Sequence, residues 1–277
     1  MSRVSKGYAG YGQHVLATLR QPRWVALTLL VIVLGTTMIE LGMWQLRRSH
    51  ERAAANALVE SNASAPAVPV ARVLQPDQPL EDAAEWRVVT VTGTYDLASQ
   101  ILVRNQSLDS ENGYDVVTPL RPPTGPALLV DRGWVPSGDT AAAVPDIPAP
   151  PPGNVTVQAR LHPGVTASSH DLAGLPPGQV RDFAVDSIAS TLTYPVYDAY
   201  AEALAGQPGT GLGDDGLPRV RPLPELTGGP HLAYAVQWFL FTGIAVGGWV
   251  VLLRNESQLA AHPRDVKGDE QLSSVHR

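Results

Sequence analysis

At 277 residues the chain is long enough for one or two domains, and its formal charge of −6 gives no basis for nucleic-acid binding. It has no cysteine, which excludes disulfides, thiol catalysis, iron–sulfur clusters and thiolate zinc sites. Many of its 25 prolines crowd into a few stretches that mark loops.

Residues 1–23 carry Arg3, Lys6, Arg20 and Arg23 and no acid; the first acidic residue is Glu40. Trp24 to Ile39 is apolar and uncharged, and Trp24 and Trp44 bracket about one bilayer's thickness. A basic start before an apolar run resembles a signal sequence, but no small-x-small cleavage site lies just after Ile39, and Ala53-Ala54-Ala55 is too far along. Residues 24–45 therefore predict an uncleaved transmembrane helix behind a cytoplasmic tail, 1–23. The span begins too early to leave much room for a mitochondrial presequence, which favours a plasma membrane over the mitochondrial inner membrane. Glu40 lies in this span and shares a helix face with Trp44 and Arg47. An intramembrane carboxylate is a functional candidate by default. The alternative is that Glu40 reaches interfacial water or Arg47.

Between the spans, 46–230 reads as one β-rich domain with minor helices. The Ala-rich, charged stretch 48–60 continues helical, and 63–79, with four prolines, is a loop. In 87–96, Val89, Val91, Gly93 and Tyr95 alternate with Thr90, Thr92 and Thr94, which predicts a strand with one packed face. Gly93 within it marks a bulge or a close backbone approach. Further strands are predicted at 100–104, 114–120, 127–135 and 154–162. Asp109 to Gly113 supplies hairpin chemistry, with Asn112-Gly113 suited to positive φ. Short turns between successive strands predict an antiparallel meander. Residues 136–153 hold six prolines and read as an exposed spacer, with a docking segment as the alternative. Residues 175–178 form a turn and 181–185 a short strand; 188–204 is mixed and helical at its end.

From Leu232 to Leu253 there is no charged side chain, and twenty-two helical residues at about 1.5 Å each cross a bilayer. The second span is therefore 231–253, with 254–277 as a second cytoplasmic tail. Charge alone barely orients the pair, because Arg47, Arg48 and Arg52 follow the first span as Arg20 and Arg23 precede it. Long loops translocate largely regardless of charge, so 46–230 is expected to be extracytoplasmic. On the first turns of the second span His231 and Trp238 are nearly eclipsed, with Tyr234 about 60° away. One face at the membrane surface thus carries an imidazole and two aromatics.

Enzyme chemistry finds no foothold. The seven histidines, at 14, 50, 162, 170, 231, 262 and 276, include no metal-type pair, and there is no phosphate loop or nucleophile elbow. Asp131-Arg132-Gly133-Trp134 reads as a strand-end ion pair and turn with a packed tryptophan rather than a catalytic acid.

Five blocks carry a family resemblance. Leu41-Gly42-Met43-Trp44-Gln45-Leu46-Arg47-Arg48 resembles the Leu-Gly-x-Trp-Gln-x-x-Arg signature of the surfeit locus protein 1 family. In order follow Val91-Thr92-Gly93-Thr94-Tyr95-Asp96, then Val103-Arg104-Asn105 with Gly113-Tyr114 through Thr118-Pro119-Leu120. Next comes Val130-Asp131-Arg132-Gly133-Trp134-Val135-Pro136, with Asp131 where the family usually has Asn. The last is His231-Leu232-Ala233-Tyr234-Ala235-Val236-Gln237-Trp238-Phe239. The resemblance covers roughly 41–254; the tails carry none.

The resemblance implies a non-enzymatic assembly factor for haem–copper cytochrome c oxidase that binds haem a and hands it to oxidase subunit I. Its partners would be that subunit, other oxidase subunits or assembly factors, and membrane lipid. The implied iron ligand is His231. Tyr234, Trp238 and Trp44 would supply apolar walls, and Arg47 or Arg48 would meet the propionates. An interfacial histidine bonded to water or backbone is the other account of His231. Two different classes stay open: an accessory subunit that remains in a respiratory oxidase without binding haem, and a membrane-anchored receptor. The lack of a recognisable signalling module after Arg254 counts against the receptor.

Overall fold

A computed structural model describes residues 15–138, 145–165, 174–213 and 215–261. In chain order the elements are α1 (Pro22–Ser64), β1 (Val68–Pro69), β2 (Val88–Tyr95), β3 (Ile101–Leu108) and β4 (Glu111–Arg121). Then come β5 (Ala127–Pro136), β6 (Asn154–His162), β7 (Gln179–Val180), α2 (Val185–Ala189), β8 (Val196–Ala203) and α3 (His231–Ala261). The chain divides into two compact units, Met1–Ala53 with Thr227–Arg277, and Ala54–Leu226.

The first unit is an antiparallel helix pair. Pro22 opens α1 where its missing N–H costs nothing, and Pro66 follows its last residue, Ser64. No Gly or Pro falls between Gly42 and Ser64, so the helix runs well past the predicted 24–45 span, through the expected 48–60 continuation. Pro230 precedes α3, and its carbonyl accepts the Tyr234 N–H at 3.1 Å. Arg23 pairs with Glu256, and Trp249 Nε1 donates to Thr28 Oγ1 at 3.2 Å. Further along, Gly42 lies against the Phe239 ring; a Cβ on Gly42 would stand 2.8 Å from a ring carbon. A small residue lets the two helices approach there. Hydroxyls on the apolar stretches satisfy themselves on the preceding turn, as Thr37 does on Val33 O at 2.8 Å. Both helices are long and apolar enough to cross a membrane, and their apolar windows are only 11% and 6% buried, the reverse of a soluble core helix.

The second unit is a β barrel. β2 pairs antiparallel with β6 from Val88↔Arg160 to Thr94↔Asn154, then meets β4 at Thr94↔Arg121 and Tyr95↔Leu120. This last pairing closes β2, β6, β8, β5 and β4 into a ring. Antiparallel ladders predominate, as expected, but β1–β2, β3–β7 and β5–β8 are parallel. The predicted alternation in β2 holds: Val89, Val91 and Tyr95 are buried with Leu128, Val130, Val157, Ala159, Leu161 and Ala201 in the barrel interior. Gly93 occupies the point where β2 passes from β6 to β4. A Cβ there would stand 2.6 Å from the Arg121 carbonyl carbon and 2.9 Å from Pro122 N. A second core lies under α2, where Ile101, Val103, Val117, Leu129, Phe183, Val185 and Ile188 pack together.

Four expectations are corrected. The end of 188–204 is strand β8, not helix. Its Ala-rich sequence suggests helix, yet Tyr197, Ala199, Ala201 and Ala203 alternate inward, where small side chains fit a narrow barrel. Residues 181–185 form no strand; the pairing is at Gln179–Val180, and Val185 opens α2. In the β3–β4 hairpin the positive φ values fall on Asp109 (51°) and Ser110 (67°), while Asn112 and Gly113 are already in β4. The proline-rich stretch is not a free spacer over its described part: Pro150 is buried and Ile147 packs on Leu217 and its neighbours. Its residues 139–144 lie outside the described residues.

Candidate functional site

The helix pair places His231 against the residue after Trp44. His231 Nδ1 and Gln45 Oε1 lie at hydrogen-bond distance, 2.9 Å, so the two helices meet at this end. The ring is half-buried at the first residue of α3. Trp238, two turns on, is also half-buried and meets Phe241 edge-on, with ring centroids 6.2 Å apart at 88°. Tyr234 is 47% exposed and Trp44 is 48% exposed, so both offer apolar surface outward rather than packing between the helices. Gln45, turned about 100° from Trp44, is the α1 residue that meets His231. Sequence reasoning named its neighbours and passed over it, although it stands inside the quoted Trp-Gln block.

The two arginines differ. Arg48 donates to Glu51 at 2.9 Å on the exposed surface of α1, a pair of the kind that contributes little. Arg47 is exposed and holds no ion pair or hydrogen bond among the described residues. Glu40 is likewise exposed, with no partner among the described residues.

The barrel has its own polar interior. Arg132, fully buried, meets no carboxylate: Nε donates to Gly209 O at 3.0 Å, Nη1 to Gln100 Oε1 at 2.9 Å, and Nη2 to Pro148 O. The expected Asp131–Arg132 ion pair is therefore absent, because adjacent residues in a strand point to opposite faces. Burial lowers the Arg132 guanidinium to about 10, with Tyr95 nearby opposing the shift. On the other face, Asp131 accepts from Gly133 N–H at 2.9 Å. Burial pushes its carboxyl well above the usual range, and the Asp115 and Glu202 carboxylates push the same way. Arg221 grips Asp115 at 2.8 and 3.0 Å, and Arg160 reaches Glu202 at 3.3 Å. Burial raises Asp115 despite Arg221, whereas for Glu202 the His162, Arg160 and Arg221 side chains outweigh burial and lower it. No group of these acids and histidines could hold a metal ion among the described residues. The network joins β4, β5, β6 and β8 to the Arg221 segment.

Comparison with known proteins identifies the family. The SURF1 family model matches residues 32–243, from within α1, through the whole barrel, into α3. The chain belongs to the SURF1 family. An uncharacterised SURF1-like protein of Mycobacterium bovis is 31% identical over 233 residues, covering 82% of each chain. A SURF1-like protein of Monosiga brevicollis is 29% identical over 262 residues, covering 87% of this chain and 92% of the relative. One from Rickettsia felis is 30% identical over 108 residues, covering 38% of this chain and 45% of the relative. The SURF1 match takes in Gln45, Arg132 and His231, the three side chains around which the helix end and the barrel are arranged.

Proposed function

We propose that this protein supports the assembly of a haem–copper cytochrome c oxidase by holding haem a at the outward end of its helix pair and passing it to the catalytic subunit, subunit I. SURF1 membership over both helices and the barrel is the ground for the oxidase role. The observation that carries the haem step is His231 at the end of an antiparallel pair, with one ring nitrogen bound to Gln45 and the other uncommitted. The donor set fits the group: a neutral imidazole is a common haem iron ligand. Tyr234, Trp44 and Trp238 would line the porphyrin with apolar surface, and Arg47, which holds no ion pair or hydrogen bond among the described residues, would meet a propionate. When bound, haem a would be cargo for transfer. In that role the residues of this chain would bind and orient it. The barrel would stand on the extracytoplasmic side of a plasma membrane.

The test is purification of the full chain in mild detergent from cells that make haem a. A haem absorbance band is expected, and His231→Ala should abolish it while the protein still accumulates. A colourless wild type, or a band unchanged in His231→Ala, refutes the haem step. Stoichiometric retention in mature oxidase would instead make the protein a permanent subunit.

A further inference from the structure

An imidazole offers a metal only the nitrogen whose lone pair is free, and the hydrogen bond at the other nitrogen decides which one that is. His231 Nδ1 lies 2.9 Å from the amide oxygen of Gln45, a group that can only accept. Nδ1 therefore carries the hydrogen, and Nε2 keeps its lone pair. The opposite edge of the ring is bordered by Gly229, whose φ is +64°. A Cβ on Gly229 would stand 3.3 Å from His231 Cδ2 and 3.6 Å from Nε2. Its missing side chain leaves the Nε2 edge uncrowded, and its left-handed backbone disfavours any replacement.

We infer that Gln45 is a positioning residue that selects Nε2 of His231 as the ligating nitrogen, with Gly229 keeping that edge open. This rests on the reading of His231 as the haem ligand. Gln45 stands on one span and His231 on the other, so the ligand is correctly presented only when the two helices are paired. Removing the amide frees the ring to rotate and lets the hydrogen settle on either nitrogen. Partners of this kind typically change metal affinity by about 10- to 100-fold.

The test separates the two claims. The haem-free full chain, labelled with nitrogen-15 histidine in detergent, is examined by NMR at a pH where imidazole is neutral; the His231 signals are those lost in His231→Gln. The wild type should show hydrogen on Nδ1. Gln45→Leu should move it toward Nε2, and Gln45→Glu, which keeps an acceptor, should restore the wild-type pattern. Hydrogen on Nε2 in the wild type, or no change in Gln45→Leu, overturns the role of Gln45 whether or not haem binds. On titration with haem a, Gln45→Leu should bind roughly 10- to 100-fold more weakly. Gln45→Glu should recover, and Gly229→Ala should bind weakly with its tautomer unchanged. A wild type with hydrogen on Nδ1 but no haem band refutes the haem proposal and leaves the tautomer selection supported.

Discussion

Replacing Gly93 tests how the barrel closes. An added Cβ would stand 2.6 Å from the Arg121 carbonyl carbon, against the 3.4 Å at which ordinary contact begins, a shortfall of 0.8 Å. The obstruction is backbone, so no side chain can swing aside. Overpacking of this kind costs about 1–3 kcal/mol. If β2 and β4 separate instead, the pairs at Thr94↔Arg121 and Tyr95↔Leu120 are lost, at about 0.5–1.5 kcal/mol per hydrogen bond. Gly93→Ala should therefore cost about 1–3 kcal/mol by either route, and for a domain of this size each kcal/mol lowers the melting midpoint by roughly 2–4 °C. Gly93→Glu adds a charged chain to the same crowded point and should prevent accumulation at growth temperature, since total stability is typically about 5–15 kcal/mol. Thermal unfolding of the full chain in detergent, followed by tryptophan fluorescence, reads the alanine variant; membrane accumulation reads the glutamate variant. An unchanged midpoint together with normal accumulation of Gly93→Glu would refute the close-approach reasoning.

Arg132→Ala strands Gly209 O, Pro148 O and Gln100 Oε1 and leaves a void, so it should lose about 3–5 kcal/mol in denaturant unfolding; Arg132→Lys, without the planar fork, should recover only part. Asp131→Asn keeps an acceptor for the Gly133 N–H. Because the folded carboxyl sits above its ordinary 3.8, the wild type loses stability as pH rises from about that value toward the folded one, by at most about 1.4 kcal/mol per unit. The asparagine variant should gain on it as pH rises, and a stability difference that is the same at pH 5 and pH 8 would refute this. Gly42→Val should force α1 and α3 apart at Phe239. As the chain has no native cysteine, a pair introduced at Gly35 and Thr242, neighbours across the helices, reports this directly: cross-linking should occur in the otherwise wild-type chain and fall sharply with Gly42→Val.

Legibility in the sequence followed how local each signal was. The two long apolar helices were plain because each contains a long charge-free run, and β2 was plain because its threonines and valines alternate strictly. β8 was missed because alanines at inward positions resemble helix until the narrow barrel that demands them is known. Barrel closure itself depends on Gly93 meeting Arg121, a contact between strands that no local pattern announces. The same holds at the helix end. His231 stood out as a titratable group at a membrane edge, while Gln45, polar and uncharged, gave no sign until the second helix was seen against it. Arg132 was recognised as part of a pointed motif but misassigned to an ion pair, because its acceptors are three carbonyl oxygens from distant segments.

The barrel's closure also bears on how the domain can meet other chains. A strand with unpaired backbone invites another strand to add to it, in docking and in aggregation alike. Here the ring leaves little of that surface. The outermost strands of the sheet, β1 and β7, are two residues each. Beyond β7, β3 has three of its carbonyls taken by side chains, Arg104 O by Gln106 Nε2 at 3.3 Å, Gln106 O by Trp134 Nε1 at 3.2 Å and Ser107 O by Arg221 Nη1 at 2.9 Å. Positive φ at Asn105, at the register shift between Val103 and Gln106, bends the strand out of flat register. A partner that meets this domain has side chains and loops to recognise, and scarcely any bare backbone to extend.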